Sequence, residues 1–261
     1  MTDYDFEQGR VAMVSGAGSG IGRASALKLS HGGLKVAVGD IDVAGGEATV
    51  AQIIASGGDA IFQRVDVVKE ADVTDWVEGT VARWGRLDYQ FNNAGINGPT
   101  EKLETYSALD FERVIMTNLV SVSLCMRAAI KHMKQRGGAI VNTGSTASLT
   151  GYATLSAYAA AKHGVLGLTR SVAREYAEIP IRVNCICPGP TSTPLMQGIE
   201  ESLNPDDPAS VRATFAQTTA LKRYASPDEI ADVVAFLLSD SAGYITGAAI
   251  AADAGVTAGI G

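Results

Sequence analysis

Cysteine, histidine and metal-ligand motifs are scarce in this chain of 261 residues. The three cysteines are Cys125, Cys185 and Cys187, an odd number without metal-ligand spacing, and we expect buried free thiols in a reducing cytoplasm. The three histidines are scattered, and the sequence contains neither a His-Glu-x-x-His nor a Gly-x-Ser-x-Gly element. The sequence therefore lacks the motifs of zinc hydrolases and serine hydrolases, and no metal site is expected.

Positive charge and long apolar runs are also scarce. The chain carries 21 Lys and Arg residues against 28 Asp and Glu residues, a formal net charge of -7. Because nucleic acids and anionic membranes require a concentrated basic surface, neither is expected as a partner. The acidic start Met1–Glu7 does not resemble a secretory signal, and no apolar run reaches the ~18 residues that a membrane span needs. We expect a cytoplasmic protein.

Short apolar or β-branched runs alternate with longer helical patterns along the whole chain. This alternation predicts right-handed crossovers and a buried parallel sheet with helices on both faces, which is a doubly wound α/β fold. No linker divides the sequence, so one domain over residues 1–261 is expected. The strand candidates are Val11–Val14, Val36–Val38, Ile61–Val67, Leu87–Phe91, Ala139–Val141, Ile181–Ile186 and Ala248–Ala252.

The alternation breaks between residues 190 and 221. Here the sequence is polar and contains Pro194, Pro205 and Pro208. We predict an irregular excursion over the edge of the sheet. Excursions of this length often act as mobile lids, and this one is expected to cover the substrate.

A glycine-rich loop follows the first strand candidate and leads into a helical pattern. Its glycines are Gly16, Gly20 and Gly22, in the spacing Gly-x-x-x-Gly-x-Gly. Such a loop brings backbone N–H groups and a helix N-terminus close to a pyrophosphate, although a tight turn would show the same glycines. Asp40 stands 18 residues after Gly22, at the end of the second strand candidate, where an acid binds ribose hydroxyls. We therefore predict NAD, since a 2′-phosphate would meet a like charge there.

Tyr158 and Lys162 are four residues apart, which places both side chains on one face of a helix. A nearby ammonium lowers the pKa of a tyrosine from its usual ~10, and such a phenol can act as a general base. An amphipathic helix of no special function would carry the same pair, so the spacing alone does not decide between the two interpretations.

Together these motifs resemble those of the short-chain dehydrogenases/reductases, from Val11 to Val256. The family's Asn-Asn-Ala-Gly element matches residues 92–95, and its Pro-Gly segment matches residues 188–189. The resemblance implies a Rossmann-type fold and a catalytic tetrad. In this tetrad Asn118 would hold a water, Ser145 would bind the substrate oxygen, Tyr158 would exchange its proton, and Lys162 would lower the tyrosine pKa.

The resemblance also implies a set of contacts for the cofactor and the substrate. The expected cofactor contacts are Gly16, Ser19, Gly20, Ile21, Gly22, Asp40, Ile41, Asp66, Val67, Asn93, Gly95, Tyr158, Lys162, Pro188, Gly189, Thr191 and Thr193. The expected substrate contacts are Ser145, Leu149, Tyr152, Tyr158, Pro190, Leu195 and Met196. The wall residues of this second set are mainly apolar, which favours an uncharged substrate.

These observations predict an NAD-dependent oxidoreductase that interconverts a secondary alcohol and its ketone, with a cyclic or hydrophobic substrate. A carbonyl reductase of a steroid or acyl-thioester is the alternative enzyme, and a non-catalytic dinucleotide-binding module is the alternative from another class. The resemblance further implies a homotetramer that packs through the Tyr158 helix and the helix Pro227–Leu238. The residues expected to serve this contact are Ala159, Ala160, Ala161, Gly164, Val165, Leu166, Gly167 and Leu168.

Overall fold

The computed structural model describes residues 6–259, so Met1–Asp5 and the last two residues lie outside the described part. The strands are β1 (Val11–Ser15), β2 (Lys35–Asp40), β3 (Ala60–Arg64), β4 (Tyr89–Asn92), β5 (Gly138–Thr143), β6 (Ile181–Pro188) and β7 (Ala249–Ala252). They form one parallel sheet in the order β3-β2-β1-β4-β5-β6-β7. The doubly wound α/β prediction is confirmed.

Helices cover both faces of this sheet. They are α1 (Gly20–His31), α2 (Val43–Ala55), α3 (Glu70–Trp84), α4 (Ala108–Ile115), α5 (Ser121–Met133), α6 (Ser156–Glu175), α7 (Pro194–Leu203), α8 (Pro208–Thr218) and α9 (Pro227–Leu238). One apolar core lies between the sheet and α3, α5 and α6, and a second lies between the sheet and α1, α2 and α9. The strands β1, β2 and β6 are buried on both faces along most of their length, which explains why they read as continuous apolar runs.

Two predicted strands extend at least two residues beyond the observed pairing. The run Ile61–Val67 leaves the sheet after Arg64, and the run that begins at Leu87 enters the sheet only at Tyr89. Val65 and Leu87 are nevertheless buried, at 2% and 1% exposure. Residues that lie next to a strand and pack into the core are apolar too, so the sequence does not distinguish them from residues of the strand itself.

The order of the strands positions a ligand site. β1 pairs with β2 on one side and with β4 on the other, so the chain reverses its direction of winding at β1. In open parallel sheets, ligands bind at the carboxyl ends of the strands that flank such a switch point. The glycine loop after β1 and the segment after β4 lie at this place.

The excursion at residues 190–221 is helical, so the prediction of an irregular segment is wrong. It consists mainly of α7 and α8, and each helix begins with a proline after a capping side chain, Thr193 before Pro194 and Asp207 before Pro208. Proline is favoured at the first helical position, where its missing N–H group is not needed. Two of the prolines taken as signs of a loop are therefore helix starts.

A continuous helical segment at 108–133 is long and apolar enough, by length and composition alone, to cross a membrane. It joins α4 to α5 through a π-helical turn, Met116–Val120. Of its most apolar window, 44% is buried within the protein. Cys125, Met126 and Ile130 of α5 belong to the core under α3 and α6. Packing against the sheet therefore accounts for the apolar composition that the sequence analysis did not single out.

Candidate active site

A cavity of about 630 Å³ runs along the carboxyl ends of the strands. It extends from the glycine loop and Asp40, past Ser145 and Tyr158, to the helices α7 and α8. Most residues that the sequence assigned to a cofactor or substrate therefore share one continuous space. Gly22, Asn118 and Leu149 do not line it.

The glycine loop is shaped by close backbone contacts. Gly16 and Gly20 have left-handed φ angles of 64° and 51°, which glycine adopts most readily. A Cβ atom on Gly22 would lie 2.0 Å from the carbonyl oxygen of Gly16, so this position admits no side chain. Ser19 precedes α1 but makes no side-chain cap. The first N–H groups of α1 are left uncapped by that side chain, and they fit the phosphate groups of a dinucleotide.

Ser15 and Asn93 join the ends of β1 and β4 beneath this loop. The Ser15 hydroxyl accepts hydrogen bonds from the backbone N–H groups of Asn93, at 3.0 Å, and Ala94, at 3.2 Å. The Asn93 side-chain amide donates to the carbonyl oxygen of Gly16 at 3.1 Å. Asn93 therefore supports the shape of the glycine loop in addition to lining the cavity.

Asp40 closes the adenosine end of the cavity. Its Oδ2 accepts from the Gly18 N–H group at 2.7 Å, and its Oδ1 accepts from the Asp42 N–H group at 2.9 Å. Ile41, Asp66 and Val67 lie along the same cavity. The carboxylate is thus held in place by two backbone donors, and its remaining lone pairs are available to ribose hydroxyls.

Asn118 lies in the π-helical turn and is fully buried. Its side-chain oxygen accepts from the Ile96 N–H group at 2.8 Å, and its side-chain nitrogen donates to the Ile96 carbonyl oxygen at 2.7 Å. Gly95 passes so close that a Cβ atom there would lie 2.9 Å from the Asn118 oxygen. The Asn118 amide is therefore a clamp on the segment after β4, because its oxygen and its nitrogen both bond to the Ile96 backbone.

Ser145 and Tyr158 face the cavity from neighbouring elements. Ser145 follows β5 and caps the short 3₁₀ helix Thr146–Ser148, and its hydroxyl accepts from the Ala147 N–H group at 3.1 Å. Tyr158 stands in the first turn of α6. Burial raises the pKa of the Tyr158 phenol, and the influence of the Ser145 hydroxyl opposes this rise. In the protein alone, the tyrosine pKa is therefore not lowered, contrary to the expectation from the sequence.

Lys162 lies beside Tyr158 but points to the backbone. Its Nζ donates to the Thr143 carbonyl oxygen at 2.7 Å and is 5.5 Å from the centre of the Tyr158 ring. The residue is 4% exposed, and burial lowers the pKa of the ammonium to about 8. The shared helix face predicted from the spacing is thus present. The lysine is a buried cation without an acidic partner among the hydrogen bonds and ion pairs of residues 6–259.

The burial of Lys162 should make the free energy of unfolding depend on pH. The Lys162 pKa is about 8 in the folded protein against 10.5 for the free side chain, so the folded state binds fewer protons between these values. Relative to Lys162→Met, the free energy of unfolding of the wild type should increase by up to roughly 3 kcal/mol as pH rises through this window. Denaturant titrations across the window test this expectation, with the exposed Lys131→Met as control, and a constant difference would contradict it.

Two thiols lie behind the catalytic side chains. Cys185 and Cys187 are on the same face of β6, with their sulfur atoms 3.9 Å apart. The hydrogen bond between the two thiols lowers the pKa of Cys187, while the same bond and burial raise the pKa of Cys185. Cys125 is buried in the core, where desolvation raises its pKa to about 12. All three cysteines are free and buried, as expected.

The segment after β6 completes the cofactor end. A Cβ atom on Gly189 would lie 2.8 Å from the Cα atom of Asp253, so glycine is required by the close approach of the chain after β7. The Thr191 hydroxyl donates to the Gly189 carbonyl oxygen at 2.9 Å. Thr193 caps α7 and lies against Gly20. Pro188, Gly189, Thr191 and Thr193 all line the cavity.

The predicted substrate wall needs one correction. Tyr152, Pro190, Leu195 and Met196 line the cavity, whereas Leu149 ends the 3₁₀ helix with its side chain 38% exposed, outside the lining. Sequence reasoning missed many lining residues, among them Ile96, Asn97, Arg113, Ile199, Phe215 and Val256. Recognition of α7 and α8 as helices would have placed Ile199 and Phe215 on faces that can meet the cavity.

Within residues 6–259, no group of three or more His, Cys, Asp and Glu side chains is arranged to hold a metal ion.

Comparison with known proteins decides the family. Residues 16–257 match a family model described as enoyl-(acyl carrier protein) reductase. The chain is 41% identical over 252 residues to levodione reductase from Leifsonia aquatica, covering 95% of this chain and 94% of that one. It belongs to the short-chain dehydrogenase/reductase family. This short-chain dehydrogenase/reductase is therefore an enzyme that transfers hydride between a nicotinamide dinucleotide and an alcohol or ketone.

Further similarity covers nearly the whole enzyme. It is 43% identical over 251 residues to cis-4-hydroxycyclohexanecarboxylate dehydrogenase from Sinomonas cyclohexanicum, covering 95% of this chain and 97% of the other. A crystal structure of levodione reductase superposes with a TM-score of 0.96 at 40% identity, covering 98% of this chain and 100% of that one. A crystal structure of a single-substitution variant of actinorhodin polyketide ketoreductase with NADPH superposes with a TM-score of 0.90 at 30% identity. The match covers 95% of this chain and 97% of that one.

Proposed function

We propose that this enzyme interconverts a cyclic secondary alcohol and its ketone with NAD(H). The observation that carries the proposal is the continuity of the cavity. Asp40 and the glycine loop line one end of it, and Ser145 and Tyr158 line it together with the apolar Leu195. A dinucleotide laid along the loop therefore brings its nicotinamide toward the two hydroxyl groups and the apolar wall.

The residues of the tetrad then have distinct roles. The nicotinamide supplies the hydride acceptor when the cofactor is bound. Tyr158 takes the proton of the substrate hydroxyl in oxidation and returns it in reduction. Ser145 binds the substrate oxygen and orients it toward Tyr158. Lys162 provides a positive charge beside the phenol, and a cationic nicotinamide would add a second one; both favour the phenolate form of Tyr158. Asn118 acts as a positioning residue through its clamp on Ile96.

The preference for a cyclic, hydrophobic substrate has two supports. Pro190, Leu195, Met196, Ile199 and Phe215 make the substrate end of the cavity largely apolar. Several similar proteins are named for six-membered rings, among them cyclohexanol dehydrogenase from Acinetobacter sp. (strain SE19), 40% identical over 249 residues, covering 95% of each chain. A panel of cyclic and open-chain secondary alcohols with NAD, followed by NADH absorbance, tests the proposal. Equal kcat/KM for both kinds of alcohol would contradict it.

We expect a preference for NAD over NADP of at least about tenfold in kcat/KM, because a 2′-phosphate dianion beside Asp40 costs more than ~1.4 kcal/mol. The Asp40 carboxylate is fixed by the Gly18 and Asp42 N–H groups and cannot easily turn away. Asp40→Ala should narrow the preference, mainly through a lower KM for NADP. Steady-state kinetics with both cofactors measure this, and equal use of the two by the wild type would refute the assignment.

A carbonyl reductase of a steroid or acyl-thioester is the second candidate. It is favoured by the enoyl-(acyl carrier protein) reductase description of the family model and by the likeness to a polyketide ketoreductase. The same tetrad can catalyse both alcohol oxidation and ketone reduction, so the two candidate functions differ in their substrates. Reduction assays with a hydroxysteroid's ketone and with an acyl-thioester ketone separate them from the cyclic ketones.

We also propose that the enzyme is cytoplasmic and a homotetramer. The free thiols of the three cysteines support a cytoplasmic location. In support of the homotetramer, α6 leaves Ala160 and Gly167 exposed. Apart from the neighbouring residues and the backbone of the same helix, no heavy atom of residues 6–259 lies within 4 Å of an added Cβ at Gly167. Ala161, Val165 and Leu166 are buried within the chain, so they are not available for the contact predicted from the sequence.

The tetramer is tested by its mass in solution. Sedimentation should show a species of about four chains of 27.0 kDa. Gly167→Arg places a long charged side chain on the exposed face of α6 and should shift the distribution toward smaller species. Arg136→Ala, a change at an exposed site outside α6 and α9, is the control. A wild-type preparation that contains monomers alone would contradict the proposed homotetramer.

A further inference from the structure

Tyr152 and Thr146 form a hydrogen-bonded pair of hydroxyl groups on the cavity wall. The Tyr152 hydroxyl donates to Thr146 Oγ1 at 2.9 Å, and both residues line the cavity. Thr146 follows Ser145 directly, and Tyr152 lies between the 3₁₀ helix and α6. The pair is therefore next to the groups that bind the reacting oxygen, but it is made of different side chains.

The pair has hydrogen-bonding capacity that the protein leaves unused. Each hydroxyl has one donor site and two acceptor sites. Within residues 6–259, the bond between them is the one side-chain hydrogen bond in which either hydroxyl takes part. The Tyr152 oxygen therefore keeps its lone pairs, and the Thr146 hydroxyl keeps its proton. Thr146 is 6% exposed, so little water reaches it even in the free enzyme.

The surroundings make this unused capacity significant. The substrate end of the cavity is formed largely by apolar side chains such as Leu155, Leu195 and Met196. When a substrate fills that space it displaces water from the half-buried Tyr152, and an apolar substituent would leave the Tyr152 hydroxyl without compensation. A substrate that carries a hydroxyl group at this place would restore the lost hydrogen bonds.

We propose that the Tyr152–Thr146 pair binds a second hydroxyl group of the substrate, so that the enzyme prefers a cyclic diol to the matching mono-alcohol. The second hydroxyl donates to the Tyr152 oxygen, while Tyr152 continues to donate to Thr146. Tyr152 thus helps to select a substrate with a second hydroxyl group, whereas from the sequence it was expected to be part of a mainly apolar wall. The inference rests on the proposed oxidation of cyclic secondary alcohols.

The test compares cyclohexanol with cyclohexane-1,2-diol, cyclohexane-1,3-diol and cyclohexane-1,4-diol, each as separate cis and trans isomers, using NAD. For the wild type, kcat/KM for at least one diol should exceed that for cyclohexanol by about tenfold, the usual value of one hydrogen bond in an apolar site. In Tyr152→Phe the ratio of the two kcat/KM values should fall to near unity, chiefly through the KM of the diol. Thr146→Val should lower the same ratio, and the double variant should lower it no further.

Tyr244→Phe is the matched control, because it removes a phenol hydroxyl from a fully exposed side chain. For Tyr244→Phe, the ratio of kcat/KM for the diol to kcat/KM for cyclohexanol should equal that of the wild type. If the wild type prefers no diol, or if Tyr152→Phe lowers kcat/KM for cyclohexanol and diol by the same factor, the proposal is overturned and the pair only shapes the loop. If no cyclic alcohol is oxidised at all, the proposed function itself fails, so the two failures are distinguishable.

Discussion

Tyr158→Phe should lower kcat for alcohol oxidation by at least about 10³-fold while NAD still binds. The phenol oxygen is the atom that exchanges the substrate proton, and the phosphate groups of the dinucleotide are held elsewhere, by the glycine loop and α1. The phenylalanine ring keeps the packing of the tyrosine next to Lys162. Single-turnover kinetics for the chemical step and fluorescence titration for NAD measure the two effects separately.

Tyr244→Phe again serves as the control for the loss of a phenol hydroxyl, and it should retain wild-type kcat. Near-wild-type turnover by Tyr158→Phe would show that the tetrad assignment is wrong. Another group would then have to exchange the proton of the substrate hydroxyl.

Lys162→Ala should lower kcat by at least about 10²-fold and also weaken NAD binding by about tenfold. The change removes the cation beside Tyr158, leaves the Thr143 carbonyl oxygen without its donor, and deletes a group expected to contact the nicotinamide ribose. Because burial already raises the pKa of Tyr158, loss of the neighbouring charge should move the residual oxidation rate to still higher pH.

The pH profile of kcat distinguishes this electrostatic role from a purely structural one. Lys162→Arg, which keeps the charge, should leave the alkaline limb nearer to its wild-type position than Lys162→Ala does. An unchanged alkaline limb together with unchanged NAD affinity in Lys162→Ala would contradict the role given to this lysine.

The fold and the cofactor end could be predicted because their signals are local in sequence. The glycine loop follows directly on β1 and opens α1, so strand, turn and helix N-terminus are read from adjacent residues. Tyr158 and Lys162 are separated by one helical turn, and their proximity follows from helix geometry alone. Asp40 ends β2, and a parallel sheet brings that end to the same edge as the glycine loop.

The remaining features depend on packing that no local pattern reveals. The Asn118 amide is occupied by Ile96, a residue 22 positions away in the sequence. The direction of the Tyr158 pKa in the protein alone is set by burial, which opposes the effect expected from Lys162. The hydroxyl pair of Tyr152 and Thr146 exists because the loop after β5 folds back on itself. Contacts of this kind appear only when the chain is seen in three dimensions.

Transfer of deuterium from substrate to cofactor tests the central claim most directly. Cyclohexanol with deuterium on its carbinol carbon is incubated with the wild-type enzyme and NAD, and the reduced cofactor is analysed by mass spectrometry. We expect one deuterium atom in the nicotinamide of the product, a slower single-turnover rate than with unlabelled cyclohexanol, and no labelled cofactor above background with Tyr158→Phe. Reduced cofactor without the label, or labelled cofactor formed equally well by Tyr158→Phe, would contradict the account.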